Sequence, residues 1–277
     1  MNGLRPEDYL EPVCIFCKPE DAEATPVDLR RCIQRLDEDL SRNDYPAAER
    51  HLEFWRQEAA AGRDWRGMLS IDNERMGLFR KMGKQEKAME AVREAEELIP
   101  RAGLSDTVTA ATTWLNVGTV YQNFGESSTA LPYYARAREI YETLLPPDDC
   151  RLGGLYNNMA LVLTGLGQYE EARALYEKAL ALMEAQPNGA LEQAITELNL
   201  ANLAEAERGL LEAEAEIEAR LDRARVLLDR QDLPRNGYYA FVCEKCAPTF
   251  GYYGRFADAQ ELEEAARNAR CKMQNAE

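Results

Sequence analysis

The chain has 277 residues, of which 45% are hydrophobic and 30% charged, and its formal net charge is −16. This composition allows a continuous buried core, while the negative charge disfavours nucleic acid and anionic lipid as partners. No segment approaches the roughly 18 apolar residues that a membrane-spanning helix needs. The first residues lack a secretory pattern and the seven cysteines lack regular spacing, so we expect a cytoplasmic protein without a disulfide framework.

Residues 1–25 contain three prolines and little hydrophobic periodicity. We interpret them as an irregular lead-in with a short helix near residues 9–17, and we expect it to cap the end of the domain that follows. Residues 26–277 show helical periodicity and are predicted to form one helical domain.

Four helices are predicted before residue 104. Thr25-Pro26 opens the first, which runs to about Ser41, and Asn43-Asp44 opens the second, which runs to about Ala61. The third begins at Asp64 and ends before Gly83, because a glycine ends a helix at little cost. The fourth extends from Gln85 to about Ile99.

The stretch 107–187 repeats one pattern twice, and each residue of the second copy lies 42 positions after its counterpart. A fixed period of this size is typical of stacked helical repeats. The spacing places Ala130 and Ala172 where two helices cross, and Gly125 and Gly167 after the first helix of each pair. The first copy carries Trp114, Gly118, Tyr121, Gly125, Ala130, Tyr134 and Ala137, and the second Tyr156, Ala160, Leu163, Gly167, Ala172, Tyr176 and Ala179.

The last four predicted helices depart from this period. One extends from about Ala190 to Ala206, and a long one continues to about Arg230. The final pair occupies roughly residues 235–273. We place the extra length in the long helix.

These residues resemble the tetratricopeptide repeat family, particularly its long-helix variety in kinesin light chains and bacterial peptide-sensing regulators. The resemblance covers roughly residues 26–277 and implies an all-α, right-handed superhelical solenoid of about six antiparallel helix pairs. Two substitutions depart from the family pattern: Ala160 stands for its first glycine and Leu163 for its tyrosine. The resemblance also implies that the first helix of each pair lines a concave groove.

Carried over by position, three asparagines at one register are expected to form a row in that groove. A row of carboxamides can bind an extended peptide backbone, because each has both donors and an acceptor. The alternative is a structural ladder bonded to neighbouring helices or to water. The row is Asn116, Asn158 and Asn199; Asn157 and Asn202 lie beside it, Gln122 and Asn123 further along, and Asn73 one position out of register.

Other chemistry has weaker support in the sequence. The pairs Cys14/Cys17 and Cys243/Cys246 are too far apart for a zinc ribbon, and a buried small side chain explains the second pair. His51 is the single histidine, and no catalytic motif is present. We therefore expect no cofactor or metal and no catalysis.

Two functions remain open at this stage. The first is a scaffold that holds a peptide or an extended protein segment in the groove. The second is a peptide-sensing module whose superhelix changes shape when a short signalling peptide binds. An enzyme ranks third, and the sequence specifies neither the ligand nor the oligomeric state.

Overall fold

The computed structural model describes residues 24–186 and 189–274, and over these residues it contains twelve α-helices and no strand. The helices follow one another as antiparallel pairs, which confirms the all-α repeat fold. The whole-chain superhelix stays a prediction. The helices are α1 (Leu29–Ser41), α2 (Tyr45–Ala61), α3 (Trp65–Lys81), α4 (Gln85–Arg101), α5 (Val108–Asn123), α6 (Ser127–Leu144), α7 (Cys150–Gly165), α8 (Tyr169–Glu184), α9 (Ala190–Arg208), α10 (Leu210–Leu228), α11 (Gly237–Tyr252) and α12 (Phe256–Gln274).

The described residues form two compact units, divided between Leu145 and Pro146. The N-terminal unit contains α1 to α6, and the C-terminal unit contains α7 to α12. In each unit, the two helices of every pair pack on each other, and each pair also packs on the one that follows it in the unit. No pair could bury its apolar stripe alone, so stacking is what builds each core.

The first helix begins later than expected. Thr25-Pro26 does not open it; α1 begins at Leu29, and the Asp28 carboxylate accepts from the Arg31 N–H at 3.0 Å. The preceding residues are instead tied to the α2–α3 turn, where the Thr25 N–H donates to the Gly62 carbonyl at 2.9 Å. That bond holds Thr25 outside the helix, so Asp28 supplies the N-cap.

A residue with positive φ separates the two helices of every described pair. Gly125 (φ +82°) and Gly167 (φ +76°) confirm the left-handed turns that the sequence predicts. Asn43 takes this position in the first pair with φ 56°. Asparagine is among the few residues with a side chain that tolerate this region. Glycine holds the other five positions, which are Gly83, Gly125, Gly167, Gly209 and Gly254.

Small residues sit where helices cross, as the period predicts. Ala130 and Ala172 are 0% exposed, and so are their counterparts Ala48, Ala88 and Ala213. Gly118 lies under the Tyr134 ring, and a Cβ there would stand 2.6 Å from Tyr134 Cε1. The absence of a side chain at Gly118 therefore allows α6 to place a tyrosine against α5.

The extra length of the fifth pair is divided between two places. Helix α10 has 19 residues and α8 has 16, which accounts for part of it. The rest lies in the connection from Asp229 to Asn236, since α10 ends at Leu228 and α11 begins at Gly237. The predicted cap of residues 1–25 and its short helix lie almost entirely outside the described residues, so that assignment stays a prediction.

Candidate functional site

In the N-terminal unit, the first helices α3 and α5 are joined by amide hydrogen bonds. Asn73 is buried, and its Nδ2 donates to the Leu69 carbonyl at 2.9 Å and to Thr113 Oγ1 at 3.0 Å. Its Oδ1 accepts from Asn116 Nδ2 at 2.7 Å. Asn73 is therefore fully engaged, whereas the half-buried Asn116 keeps its carbonyl oxygen available.

The C-terminal unit contains the same arrangement between α7 and α9. Asn157 is buried, and its Oδ1 accepts from Asn199 Nδ2 at 3.1 Å and lies 3.2 Å from Thr196 Oγ1. Asn199 is half-buried. The two units thus share one arrangement. A buried asparagine of one first helix bonds to an asparagine of the following first helix, and also to the threonine that lies three residues before that second asparagine.

The asparagines that bond to each other are not the three that share one register in the sequence. Asn199 bonds to Asn157 rather than to Asn158, and Asn116 bonds to Asn73, which the sequence had placed out of register. The side chain of asparagine is long enough to cross one position of offset between neighbouring helices. Part of the row is thus a structural ladder within each unit, which is one of the two alternatives left open by the sequence.

Asn158 differs from its neighbours because its carboxamide makes no side-chain hydrogen bond within the described C-terminal unit. It is half-buried, and the helix face on which it lies is unusually open. A Cβ added at Gly154, one turn earlier, would meet nothing within 4 Å. Leu161, one turn later, is 38% exposed although it is a large apolar residue.

Gly154 contrasts with the preceding glycine. A Cβ at Gly153 would stand 2.4 Å from Met183 Cε, so packing against α8 explains that residue. No such contact explains Gly154, although glycine within a helix costs about 1 kcal/mol relative to alanine. The open strip beside Asn158 therefore has room for atoms from outside the chain.

The remaining predicted residues have partners or lie at the helix ends. Asn202 Oδ1 accepts from the Tyr253 hydroxyl at 3.0 Å, and that hydroxyl also lies 2.8 Å from Glu205 Oε2. Gln122 Oε1 accepts from the Tyr134 hydroxyl at 2.6 Å. Asn123 is exposed at the end of α5.

The sequence interpretation missed several residues that the structure brings to these faces. Thr113 and Thr196 belong to a Thr-x-x-Asn spacing that ends at Asn116 and Asn199, and this spacing was a usable signal. Arg80 had no such signal. It is half-buried on α3, two turns after Asn73, and its position depends on packing rather than on a motif.

Burial and contacts within the fold account for Cys243, Cys246 and His51. Cys243 and Cys246 are buried, and burial raises the pKa of both thiols, to about 12 for Cys246. His51 Nε2 lies 3.3 Å from the Cys32 carbonyl. Among the described residues, no three His, Cys, Asp or Glu side chains are grouped so that they could hold a metal ion. Cys14 and Cys17 lie outside those residues.

Tyr133 of α6 packs on the other helix of its own pair and bonds to the preceding pair. Tyr133 stacks on Trp114 and Tyr121, with ring centroids 5.9 and 5.4 Å apart, and its hydroxyl donates to Glu96 at 2.7 Å. None of the helices over residues 24–186 and 189–274 is long and apolar enough to cross a membrane.

Comparison with known proteins places these helix pairs in a family. One model described as tetratricopeptide repeat matches residues 111–149, and a second with the same description matches residues 151–225. The chain therefore carries tetratricopeptide repeats over these residues. No curated protein matches this tetratricopeptide repeat protein.

Solved structures resemble it in fold. BtubC (BKLC) from P. vanneervenii is 21% identical with a TM-score of 0.63, and the match covers 75% of this chain and 84% of that one. The apo form of RapI is 14% identical with a TM-score of 0.54, covering 92% of this chain and 88% of that one. These similarities support the helical repeat architecture of the tetratricopeptide repeat protein.

Proposed function

We propose that this tetratricopeptide repeat protein is a non-enzymatic scaffold that binds an extended peptide or protein segment along its first helices. The family is one of protein-binding repeats, which supports the general class. The finer assignment concerns the face formed by Gly154, Asn158 and Leu161 of α7 with Asn199 and Asn202 of α9, here called the α7–α9 face.

The unpaired carboxamide of Asn158 is the observation that carries the proposal. Asn157, its neighbour, is engaged by Asn199, so the structural ladder already has its asparagine. Asn158 is a second asparagine on the same helix, where it has low helix propensity and no side-chain partner in the unit. A carboxamide in this setting can bond to the N–H and C=O of an extended backbone.

The surroundings of Asn158 suit an extended segment. The open space above Gly154 admits main-chain atoms close to the helix, and the exposed Leu161 offers apolar contact to a ligand side chain. Asn199 adds a carbonyl acceptor from the next first helix. These groups suit the backbone and one apolar side chain of a bound peptide. None of them is charged, so they do not favour a peptide with a particular charged residue.

The proposal can be tested with a random peptide library displayed against the full chain. Peptides that are selected are synthesised, and their affinity is measured by calorimetry. Asn158→Ala should weaken binding by about five- to 150-fold, because each buried polar group left unpaired costs about 1–3 kcal/mol. Asn268→Ala, an exposed asparagine on α12, is the matched control and should bind as the wild type does.

Two results would argue against the proposal. Selection of no peptide under conditions where the protein is folded would remove the scaffold assignment. Wild-type affinity in both Asn158→Ala and Asn199→Ala would mean that the α7–α9 face is not the binding surface.

A further inference from the structure

Two neighbouring turns of the C-terminal unit carry a large share of the exposed apolar side chains. Nine large apolar residues are exposed among the described residues, and four of them lie at the α9–α10 turn or the α11–α12 turn. A single exposed apolar residue is common on any protein, whereas several in one place indicate an interaction surface. The four are Leu210, Leu211, Tyr252 and Phe256, with exposures of 52%, 88%, 66% and 73%.

The two turns lie side by side, because polar contacts join their helices. The Tyr252 hydroxyl at the end of α11 donates to Glu205 Oε1 of α9 at 2.7 Å. Arg255, which precedes α12, lies 3.1 Å from Glu218 Oε2 and 2.9 Å from Asp222 Oδ1 of α10. All of these residues belong to the same compact unit, so the two turns share one surface.

The α9–α10 turn extends further than the α11–α12 turn. Helix α10 begins at Leu210, but the start of α12 meets α10 only at the level of Glu218. Leu211 precedes Glu218 by seven residues, two helical turns, so the two side chains lie on the same side of α10. That side of α10 is therefore uncovered at Leu211, and Ala215 between them is exposed as well. Leu211, Ala215, Tyr252 and Phe256 are here called the α10–α12 patch.

The charge around the α10–α12 patch is negative and only partly neutralised. Arg255 beside it is already shared by three carboxylates, and the nearby Arg208 is engaged by Glu216. Glu212 and Glu214, in the first turns of α10, are exposed and have no ion-pair partner among the described residues. A cation brought to this surface therefore meets carboxylates that lack a counter-charge.

We propose that the α10–α12 patch docks an amphipathic helix of a partner protein, which has apolar residues on one face and Lys or Arg beside them. Leu211 and Ala215 are one turn apart and form a ridge on α10, against which a second helix packs with its own ridges. The apolar face of the partner helix contacts Leu211 and Phe256, and its basic residues pair with Glu212 and Glu214.

Charge favours this occupant over the others that an apolar surface could bind. The net charge of −16 disfavours both a second copy of the chain and an anionic membrane. Residues 1–23 of the chain contain six acidic and two basic residues, so they are not complementary to the patch either. The α10–α12 patch shares no residue with the α7–α9 face, and this inference therefore stands apart from the proposed function.

The test uses three synthetic peptides of equal length and the full chain. The first is an amphipathic helix of Leu and Lys, the second has Glu in place of Lys, and the third is the Leu/Lys peptide scrambled so that it has no apolar face. Fluorescence anisotropy measures their affinities. The Leu/Lys helix should bind about tenfold or more tightly than the other two, because it alone combines an apolar face with the complementary charge.

Variants of the apolar residues locate the binding. Leu211→Gln combined with Phe256→Gln should weaken binding of the Leu/Lys helix about tenfold or more. Val226→Gln is the matched control and should bind as the wild type does, since Val226 is 69% exposed but lies further along α10. Thermal unfolding should be the same in these variants, because the replaced side chains are exposed.

Variants of the carboxylates test the charge. Glu212→Gln combined with Glu214→Gln should weaken binding of the Leu/Lys helix and reduce its dependence on salt. Glu86→Gln combined with Glu90→Gln removes two exposed carboxylates from α4 of the other unit and should leave both the affinity and the salt dependence unchanged.

Four results would overturn the inference. The first is no binding of the Leu/Lys helix, and the second is equal affinity for the wild type and for Leu211→Gln/Phe256→Gln. The third is equal affinity of the wild type for the Leu/Lys and Leu/Glu helices. The fourth is a dimer in sedimentation, or binding to phosphatidylserine vesicles, that Leu211→Gln/Phe256→Gln abolishes, since the patch would then bind a second copy or a membrane. Each of these results leaves the proposed function standing, because that function concerns other residues.

Discussion

Asn116 Nδ2 donates to Asn73 Oδ1 at 2.7 Å, and this bond joins the first helices of two consecutive repeats. Asn199 and Asn157 repeat the relationship at 3.1 Å in the C-terminal unit. Asparagines that look equivalent along the sequence therefore divide into two kinds. Asn73 and Asn157 hold repeats together, whereas the Asn158 carboxamide makes no side-chain hydrogen bond among the described residues.

This division predicts opposite stability effects for two alanine substitutions. Asn73→Ala should cost about 1–3 kcal/mol of unfolding free energy, because it leaves Asn116 and Thr113 without their shared buried partner. Asn158→Ala should leave stability unchanged or slightly raised, because alanine is the better helix former. Urea unfolding of both variants measures the difference, and equal midpoints would contradict the distinction between structural and free asparagines.

The crossing alanines should not accept a larger side chain. Ala130→Leu is expected to cost roughly 1–3 kcal/mol, because Ala130 is 0% exposed and the added atoms must displace neighbouring helices. Ala135→Leu, on the exposed side of the same helix, is the matched control and should change stability little. Thermal unfolding separates the two, and similar melting temperatures would show that α6 does not pack as described.

Two tyrosines at equivalent positions should respond differently to loss of the hydroxyl. Tyr134→Phe removes the bond to Gln122 and should cost about 1 kcal/mol. Tyr176→Phe should be neutral or stabilising, because the Tyr176 hydroxyl is buried with no hydrogen-bond partner in the described structure. Denaturant unfolding measures the free energy of unfolding of both variants. A larger decrease in Tyr176→Phe than in Tyr134→Phe would contradict this difference between the two hydroxyls.

Glu192 predicts a dependence of stability on pH. Burial raises its pKa above the ordinary value of 4.5, with Lys245 acting in the opposite direction. The folded chain then binds this proton more tightly than the unfolded chain does, so the contribution of Glu192 to stability falls as pH rises above about 4.5. Glu192→Gln still accepts from the Tyr238 hydroxyl, and it should unfold at a higher temperature than the wild type at neutral pH.

A second carboxylate on the same helix controls for this effect. Glu197 is buried but paired, with its Oε2 at 2.9 Å from Arg220 and 3.2 Å from Arg223. Glu197→Gln should therefore destabilise at neutral pH, by about 1–3 kcal/mol. If the melting temperature also falls in Glu192→Gln, the buried, ionised Glu192 carboxylate does not destabilise the folded chain at neutral pH.

The repeat architecture was determined by the sequence alone. The 42-residue spacing located Ala130 and Ala172, and both are fully buried at helix crossings. The turn glycines were equally readable, since Gly125 and Gly167 take the left-handed conformation that other residues avoid. These features are local or strictly periodic, which is why the order of residues is enough to find them.

Only the tertiary structure decided how individual side chains are used. Asn157 and Asn158 are adjacent in the sequence, and register favoured Asn158 as the partner of Asn199; in the structure it is Asn157 that bonds to it. Nothing in the sequence marked Leu211 either, because its exposure depends on where α12 begins to pack on α10. Period specifies which face of a helix a residue occupies, but small rotations and offsets between packed helices determine which atoms come within bonding distance.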